Sequence, residues 1–229
     1  MRRCLLCGQL FVAKVSFIQL FSWHKQEAKC ICSNCQSKYM RIPDKHCPNC
    51  FGKLSQNKFC LDCINWQKIY GKKLLKNHSL YLYNEAFHDL MVNYKRYGDY
   101  ALHKVLEELC REDLTKRQAD LYVPVPTSPE HLEQRQFDTI SSIYSNLVSL
   151  TCVLGKKAGL SAQGEKNRAE RLRSEQSFFV KKNFTINLKK YKILLLDDIY
   201  TTGRTLYHAR DALAEVFPNA KISSFTLCR

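Results

Sequence analysis

No stretch of these 229 residues is both long enough and apolar enough to cross a bilayer. The nearest approach, Leu10 to Phe21, is broken by Lys14 and Gln19, and it falls short of the roughly 20 residues a spanning helix needs. Cys4 and Cys7 stand where a secretory signal keeps only its basic start, and no small-residue cleavage site comes after them. The expectation is a cytoplasmic protein. Acidic residues are the second scarcity: 21 Asp and Glu face 36 Lys and Arg, a formal charge of +15. A balance this basic implies an acidic partner, nucleic acid foremost. The apolar share, 45%, is ordinary for a chain with a real core. The length suits one large domain, or a small domain and one of ordinary size.

Cysteine is plentiful by contrast, with 12 in all, most of them before residue 64. In a reducing compartment such clustering points to metal rather than disulfides. Four Cys-x-x-Cys pairs occur in order: Cys4/Cys7, Cys32/Cys35, Cys47/Cys50 and Cys60/Cys63. Each hairpin offers two thiolates on one side of a tight turn, and two hairpins complete a tetrahedral zinc site. These ligands imply two structural zinc ions, because a closed four-thiolate shell leaves no open position for water. Spacing alone allows a sequential pairing, first with second and third with fourth, or a crossed one, first with third and second with fourth. The short Cys50-to-Cys60 loop favours the sequential scheme. Redox-active dithiols fit less well, since no βαβ pattern surrounds the pairs. Cys30 and His46 sit beside ligand pairs and read as a spare thiol and an exposed imidazole. Phe11, Phe17, Phe21 and Trp23 read as core, and Trp66 and Tyr70 as cover for the junction to the next domain. Residues 1–70 are expected to form a zinc-binding module and 71–229 a second domain.

Within that second part, Gly71 to Asn77 reads as a polar linker and Ser79 to Tyr83 as a strand. Asn84 is placed to cap a helix whose Phe87, Leu90, Met91 and Tyr94 face one way, closed by Gly98. Lys95 and Arg96 at its end fit a solvated helix tail or a cationic contact equally well. A second helix, about Tyr100 to Cys110, carries Leu102, Val105, Leu106 and Leu109 inward. Leu121 to Pro126 reads as a buried strand, Thr127-Ser128-Pro129 as a turn, and a helix is expected from there to about Leu150. From Leu154 to Lys182 cations dominate, among them Lys156, Lys157, Lys166, Arg168, Arg171 and Arg173. The first half of that run has no steady apolar period and reads as a mobile loop. The second contains a short strand, Phe178 to Val180. Such a cationic loop suits either a pyrophosphate or the backbone of a single nucleic-acid strand. Lys221 to Arg229 reads as a last strand.

The most informative stretch is Lys192-Ile193-Leu194-Leu195-Leu196-Asp197-Asp198-Ile199-Tyr200-Thr201-Thr202-Gly203-Arg204-Thr205-Leu206. Ile193 to Leu196 read as a strand buried on both faces, and Leu206, Ala209, Leu213 and Val216 recur at helical spacing. A helix start presents unpartnered backbone N–H groups to an anion. Gly203 allows close approach, and the hydroxyls of Thr201, Thr202 and Thr205 add donors. Asp197 and Asp198 repel phosphate but suit sugar hydroxyls or a divalent cation. The stretch asks for a sugar 5′-phosphate.

It resembles the signature of the type I phosphoribosyltransferases. The resemblance implies an α/β fold, a parallel sheet flanked by helices. It implies a loop, Asp197 to Thr205 and including Arg204, that holds phosphoribosyl pyrophosphate (PRPP) with Mg²⁺. With the cysteine pairs, Val123-Pro124-Val125-Pro126 and Arg135-Gln136-Phe137, the whole chain is similar to the ComF family. That likeness implies a zinc module joined to a phosphoribosyltransferase-like domain. It further implies a role in single-stranded DNA uptake during natural transformation, at the inner face of the membrane with ComFA, a helicase-like ATPase. Thr127 and Ser128 then fall in the pyrophosphate loop, and Gln163 and Arg171 match family positions. Two places depart from the pattern. Arg135-Gln136-Phe137-Asp138 replaces Arg-Gly-Phe-Asn, and Ser174 stands where relatives carry Asn. Two classes of function are compatible with these features: a binding protein of DNA uptake, or an active phosphoribosyltransferase acting on a nucleobase or amine. A base-recognition segment and a group for proton transfer to an acceptor are not evident in the sequence.

Overall fold

The computed structural model describes residues 1–13, 29–54, 58–157, 176–182 and 191–229. Phe17, Phe21, Trp23, Gln163, Lys166, Arg168, Arg171, Arg173 and Ser174 lie outside them.

The chain begins with a two-residue antiparallel pair, β1 (Arg2–Arg3) and β2 (Leu10–Phe11). Among the described residues two helices come next, the four-residue α1 (Ser33–Gln36) and the ten-residue α2 (Leu61–Tyr70). Four parallel strands among the described residues then build the central sheet: β3 (Lys76–Tyr81), β4 (Leu121–Pro124), β7 (Lys192–Ile199) and β8 (Lys221–Cys228). Their spatial order is β3-β8-β7-β4. In register, β4 runs from Leu121 opposite Ile193 to Pro124 opposite Leu196, and β8 from Lys221 opposite Lys192 to Cys228 opposite Ile199. A separate antiparallel pair is formed by β5 (Leu154–Lys156) and β6 (Phe178–Val180).

Burial on both faces explains the unbroken apolar run of β7. Leu194 and Leu196 join Tyr94, Leu106, Ile143, Tyr144 and Phe225 on one face. Ile193 and Leu195 join Val123, Leu206, Ala209 and Leu213 on the other. The first face is covered by α3 (Glu85–Lys95), α4 (His103–Thr115) and α6 (Thr139–Tyr144), the second by α7 (Arg204–Val216). The helix expected after Asn84 is present: Asn84 Oδ1 accepts from Phe87 N, and Phe87, Leu90, Met91 and Tyr94 are buried. The expected Tyr100 helix starts as a 3₁₀ turn, Tyr100–Leu102, and runs on to Thr115.

Three expectations are corrected. The linker is shorter than read, since β3 starts at Lys76 and Asn77 is buried, its side chain bonded to Ser79, Ser224 and Thr226. Residues 154–156 are a strand, not loop, because pairing with β6 satisfies their backbone. The single helix expected up to Leu150 is two, α5 (Pro129–Arg135) and α6. Gln136 ends α5 in the left-handed conformation, φ 63°, and Asp138 restarts the chain by capping Ser141 N at 2.7 Å.

Candidate functional site

The thiols assemble in sequential order. Cys4, Cys7, Cys32 and Cys35 form one group and Cys47, Cys50, Cys60 and Cys63 the other, with the sulfurs of each group within 4.8 Å of one another. Cys7 and Cys32 sulfurs are 3.8 Å apart and those of Cys50 and Cys60 3.3 Å. Tetrahedral zinc with Zn–S bonds near 2.3 Å spaces its sulfurs by roughly 3.8 Å, so both donor sets fit that ion. Knuckle turns close the hairpins: Cys47 N donates to Gly52 O at 2.8 Å and Phe51 N to Cys47 O at 2.9 Å, with Phe51 at φ 62°. Side-chain hydrogen bonds from Cys50, then Cys60 and Cys63, pull the Cys47 thiol far down, while the same contacts with Cys47 push Cys50 up. Four buried thiols at this spacing cannot ionise together without a cation among them. When bound, zinc supplies that charge and a fixed geometry. Cys30 stands apart from the first group, its thiol and backbone N–H both given to Glu108. His46 stacks on Phe51 at 4.0 Å.

The phosphate-type loop leaves β7 on the C-terminal rim of the sheet, where open α/β sheets place ligands. Thr201 and Thr205 are exposed, Thr202 and Gly203 buried, Arg204 between. Helix α7 begins at Arg204 behind Gly203, and the Arg204 N–H donates to Thr202 Oγ1 at 3.4 Å. Gly203 has φ 85°, and a Cβ there would come within 2.2 Å of Tyr200 Oη. Both the backbone and the ring beneath therefore require glycine.

Asp197 and Asp198 are more buried than a sugar-binding pair needs to be, at 9% and 3% exposure. Asp198 is ion-paired with Lys95, from the last turn of α3. Asp197 Oδ1 accepts from Asp198 N at 2.9 Å. Burial first, and Asp198 second, push the Asp197 carboxyl up from 3.8 to about 7. Arg135 donates through Nε to Lys95 O at 2.9 Å and so ties its helix to the same corner. Lys156 is half-buried, its ammonium 5.6 Å from the centre of the Phe178 ring. Burial lowers its pKa and the nearby Asp197 opposes that shift. Lys157 is exposed. Thr127 and Ser128 leave β4 on this rim, as expected. The Thr127 amide already donates to Asp138 Oδ2 at 3.2 Å, while the buried Ser128 hydroxyl has no hydrogen-bond partner among the described residues.

Sequence reasoning missed Tyr200 and Arg229 at this site and left Lys95 undecided. Lys95 had a readable signal, a cation closing an amphipathic helix. Tyr200 and Arg229 had none, because their roles depend on strand order.

A parallel sheet covered by helices on both faces, with a loop of this kind on its rim and a cysteine-rich module ahead of it, defines a type I phosphoribosyltransferase-like protein with a zinc module. No protein-family model matches the chain. It is 35% identical over 228 residues to competence protein ComFC of Streptococcus pneumoniae, covering 99% of this chain and 100% of that one. It is 32% identical over 231 residues to competence protein ComFC of Bacillus subtilis, covering 99% of this chain and 94% of the relative. The chain belongs to the ComFC family of competence proteins. Among the described residues no helix is long and apolar enough to cross a membrane.

Proposed function

We propose that this protein serves natural transformation by handling incoming single-stranded DNA on the cytoplasmic side, beside a ComFA-like helicase/ATPase, and that its loop binds PRPP or another phosphorylated ligand. The observation that carries the reading is the turn through the left-handed Gly203 into the N-terminus of α7, with two carboxylates at the adjoining strand end. The amides of a helix N-terminus attract phosphate, and carboxylates take the hydroxyls of the sugar attached to it. In this reading Lys95 must release Asp198 when a ribose arrives, and the cations Lys95, Arg135 and Lys156 are placed to meet the pyrophosphate. Mg²⁺ accompanies PRPP and neutralises part of its charge. Lys157 and the residues of 158–175 supply the contacts to the DNA backbone, and the module of residues 1–70 docks the partner.

The Asp197 carboxyl, titrating near neutrality, favours a second reading. A group poised there suits proton transfer, so the same pocket would serve an active phosphoribosyltransferase using a nucleobase or amine.

Thermal stabilisation by PRPP with Mg²⁺ tests the pocket. A rise in melting temperature is expected for the parent and none for Asp197→Asn; no rise in the parent removes the PRPP site. Release of pyrophosphate in the presence of nucleobases separates the two readings. Gel shifts with short single-stranded DNA should weaken steeply with salt, and no shift even at low salt removes the direct DNA contact.

A further inference from the structure

The second thiolate cluster and the phosphate loop are joined through three sets of contacts. Helix α2 starts on that cluster, with Cys60 at its N-cap and Cys63 in its first turn. One turn later the buried Trp66 donates through Nε1 to Thr202 O at 2.7 Å. Its ring stacks on Tyr207 of α7 at 4.2 Å and 22°. Arg229 makes the second path. Its Nη2 lies 3.6 Å from Cys60 Sγ and 3.1 Å from Asp62 Oδ2, and its guanidinium sits 4.4 Å from the centre of the Tyr200 ring. That ring fills the space under Gly203. Asn49 makes the third: its side-chain amide is 3.5 Å from Cys63 Sγ and donates to Leu75 O at 3.0 Å, while Leu75 N donates to Tyr207 Oη at 3.3 Å.

A ten-residue helix does not hold itself in water. The place of α2 is set by what anchors its two ends, the thiolate cluster at Cys60 and Cys63 and the aromatic stack at Trp66 and Tyr70. The first cluster packs elsewhere, against the core that contains Leu80, Phe87 and Leu109.

We propose that the second zinc site is the positioning element of the phosphate loop, acting through Trp66 and Arg229. Metal held by Cys47, Cys50, Cys60 and Cys63 locates α2. Trp66 and Arg229 then hold the Thr202 carbonyl and the Tyr200 ring so that the loop keeps its anion-ready shape. The ligand side of this inference rests on the phosphate reading above; the coupling itself does not.

The test uses the zinc-loaded full chain and reads amide hydrogen exchange over residues 200–206, with no ligand present. Trp66→Phe keeps an aromatic ring but loses the N–H, and Arg229→Gln loses the guanidinium; both retain all eight ligand thiols. Each is expected to speed exchange there about tenfold, as loss of a buried hydrogen bond opens a local segment, with zinc content unchanged. PRPP affinity should fall by about the same factor. Cys60→Ser should do the same with loss of one zinc, and Cys7→Ser, in the first cluster, should leave residues 200–206 as in the parent. Unchanged exchange in both Trp66→Phe and Arg229→Gln would overturn the coupling, whatever the ligand does and whether or not Cys60→Ser folds. Equal acceleration by Cys7→Ser would also overturn it, since the effect would then be global. Faster exchange in a protein that never binds PRPP would uphold the coupling and defeat the phosphate reading.

Discussion

Replacing Asp197 by Asn should make the protein more stable and less able to bind its ligand. Asp197 is nearly fully buried beside Asp198, and its carboxyl is pushed to about 7 by burial first and by that neighbour second. Between pH 4 and 7 the native state therefore keeps a proton that the unfolded chain has released. Where the native state binds more protons, stability falls as pH rises, and the full cost is reached above the folded pKa. Each pH unit is worth about 1.4 kcal/mol. From pH 5.5 to about 7 the parent thus loses about 2 kcal/mol through this group. Asn carries no such term and still offers Oδ1 to the Asp198 N–H. Other titrating groups are common to both proteins and cancel in the difference. Urea midpoints at pH 5.5 and pH 8 should show the gap between variant and parent widening by about 0.7–1 M, for a slope of about 2–3 kcal/mol per M. The same variant should lose the PRPP-induced shift, a trade of stability for function typical of binding sites. A gap that stays constant with pH, or narrows, would refute the reasoning. It would mean that Lys95 and Lys156 keep Asp197 ionised despite its burial.

Gly203→Ala forces a side chain into the left-handed region and against Tyr200. Strain of about 1 kcal/mol and overpacking of about 1–3 kcal/mol should lower the melting temperature by about 4–16 °C, and a change under 2 °C would show that Tyr200 does not sit under the glycine. Gln136→Gly should raise the urea midpoint slightly, by about 0.5 kcal/mol of stability, because Gln136 sits at φ 63°; a loss of stability would mean that its side chain contributes more than its backbone costs. Asp138→Asn keeps a cap for Ser141 N but removes a negative charge from beside the Thr127 amide. Calorimetric titration with inorganic pyrophosphate should show several-fold tighter binding, and unchanged affinity would exclude the Thr127 amide from the anion site.

Local chemistry made much of this legible. Apolar spacing and a capping Asn were enough for α3, because a helix buries its own near neighbours. The turn chemistry of a thiolate hairpin likewise needs only four residues. The break between α5 and α6 escaped notice because a left-handed Gln136 has no glycine to announce it. Lys95 stayed ambiguous because the partner that decides its role, Asp198, lies on a strand far along the chain from this helix. The same holds for the pairing of the thiolate hairpins, which spacing left open and packing resolved as sequential.

What the sequence alone determined is the set of local devices: four thiolate hairpins, a doubly buried strand, an acidic pair, and a glycine turn into a helix. Each is specified by residues within one turn or one strand of one another. Only the tertiary structure decided which devices meet. Strand order β3-β8-β7-β4 puts Lys95 on Asp198, and it seats Trp66 against Thr202, 136 positions away in the chain. Contacts at that separation are chosen by which faces can be buried together, and no run of neighbouring residues encodes that choice.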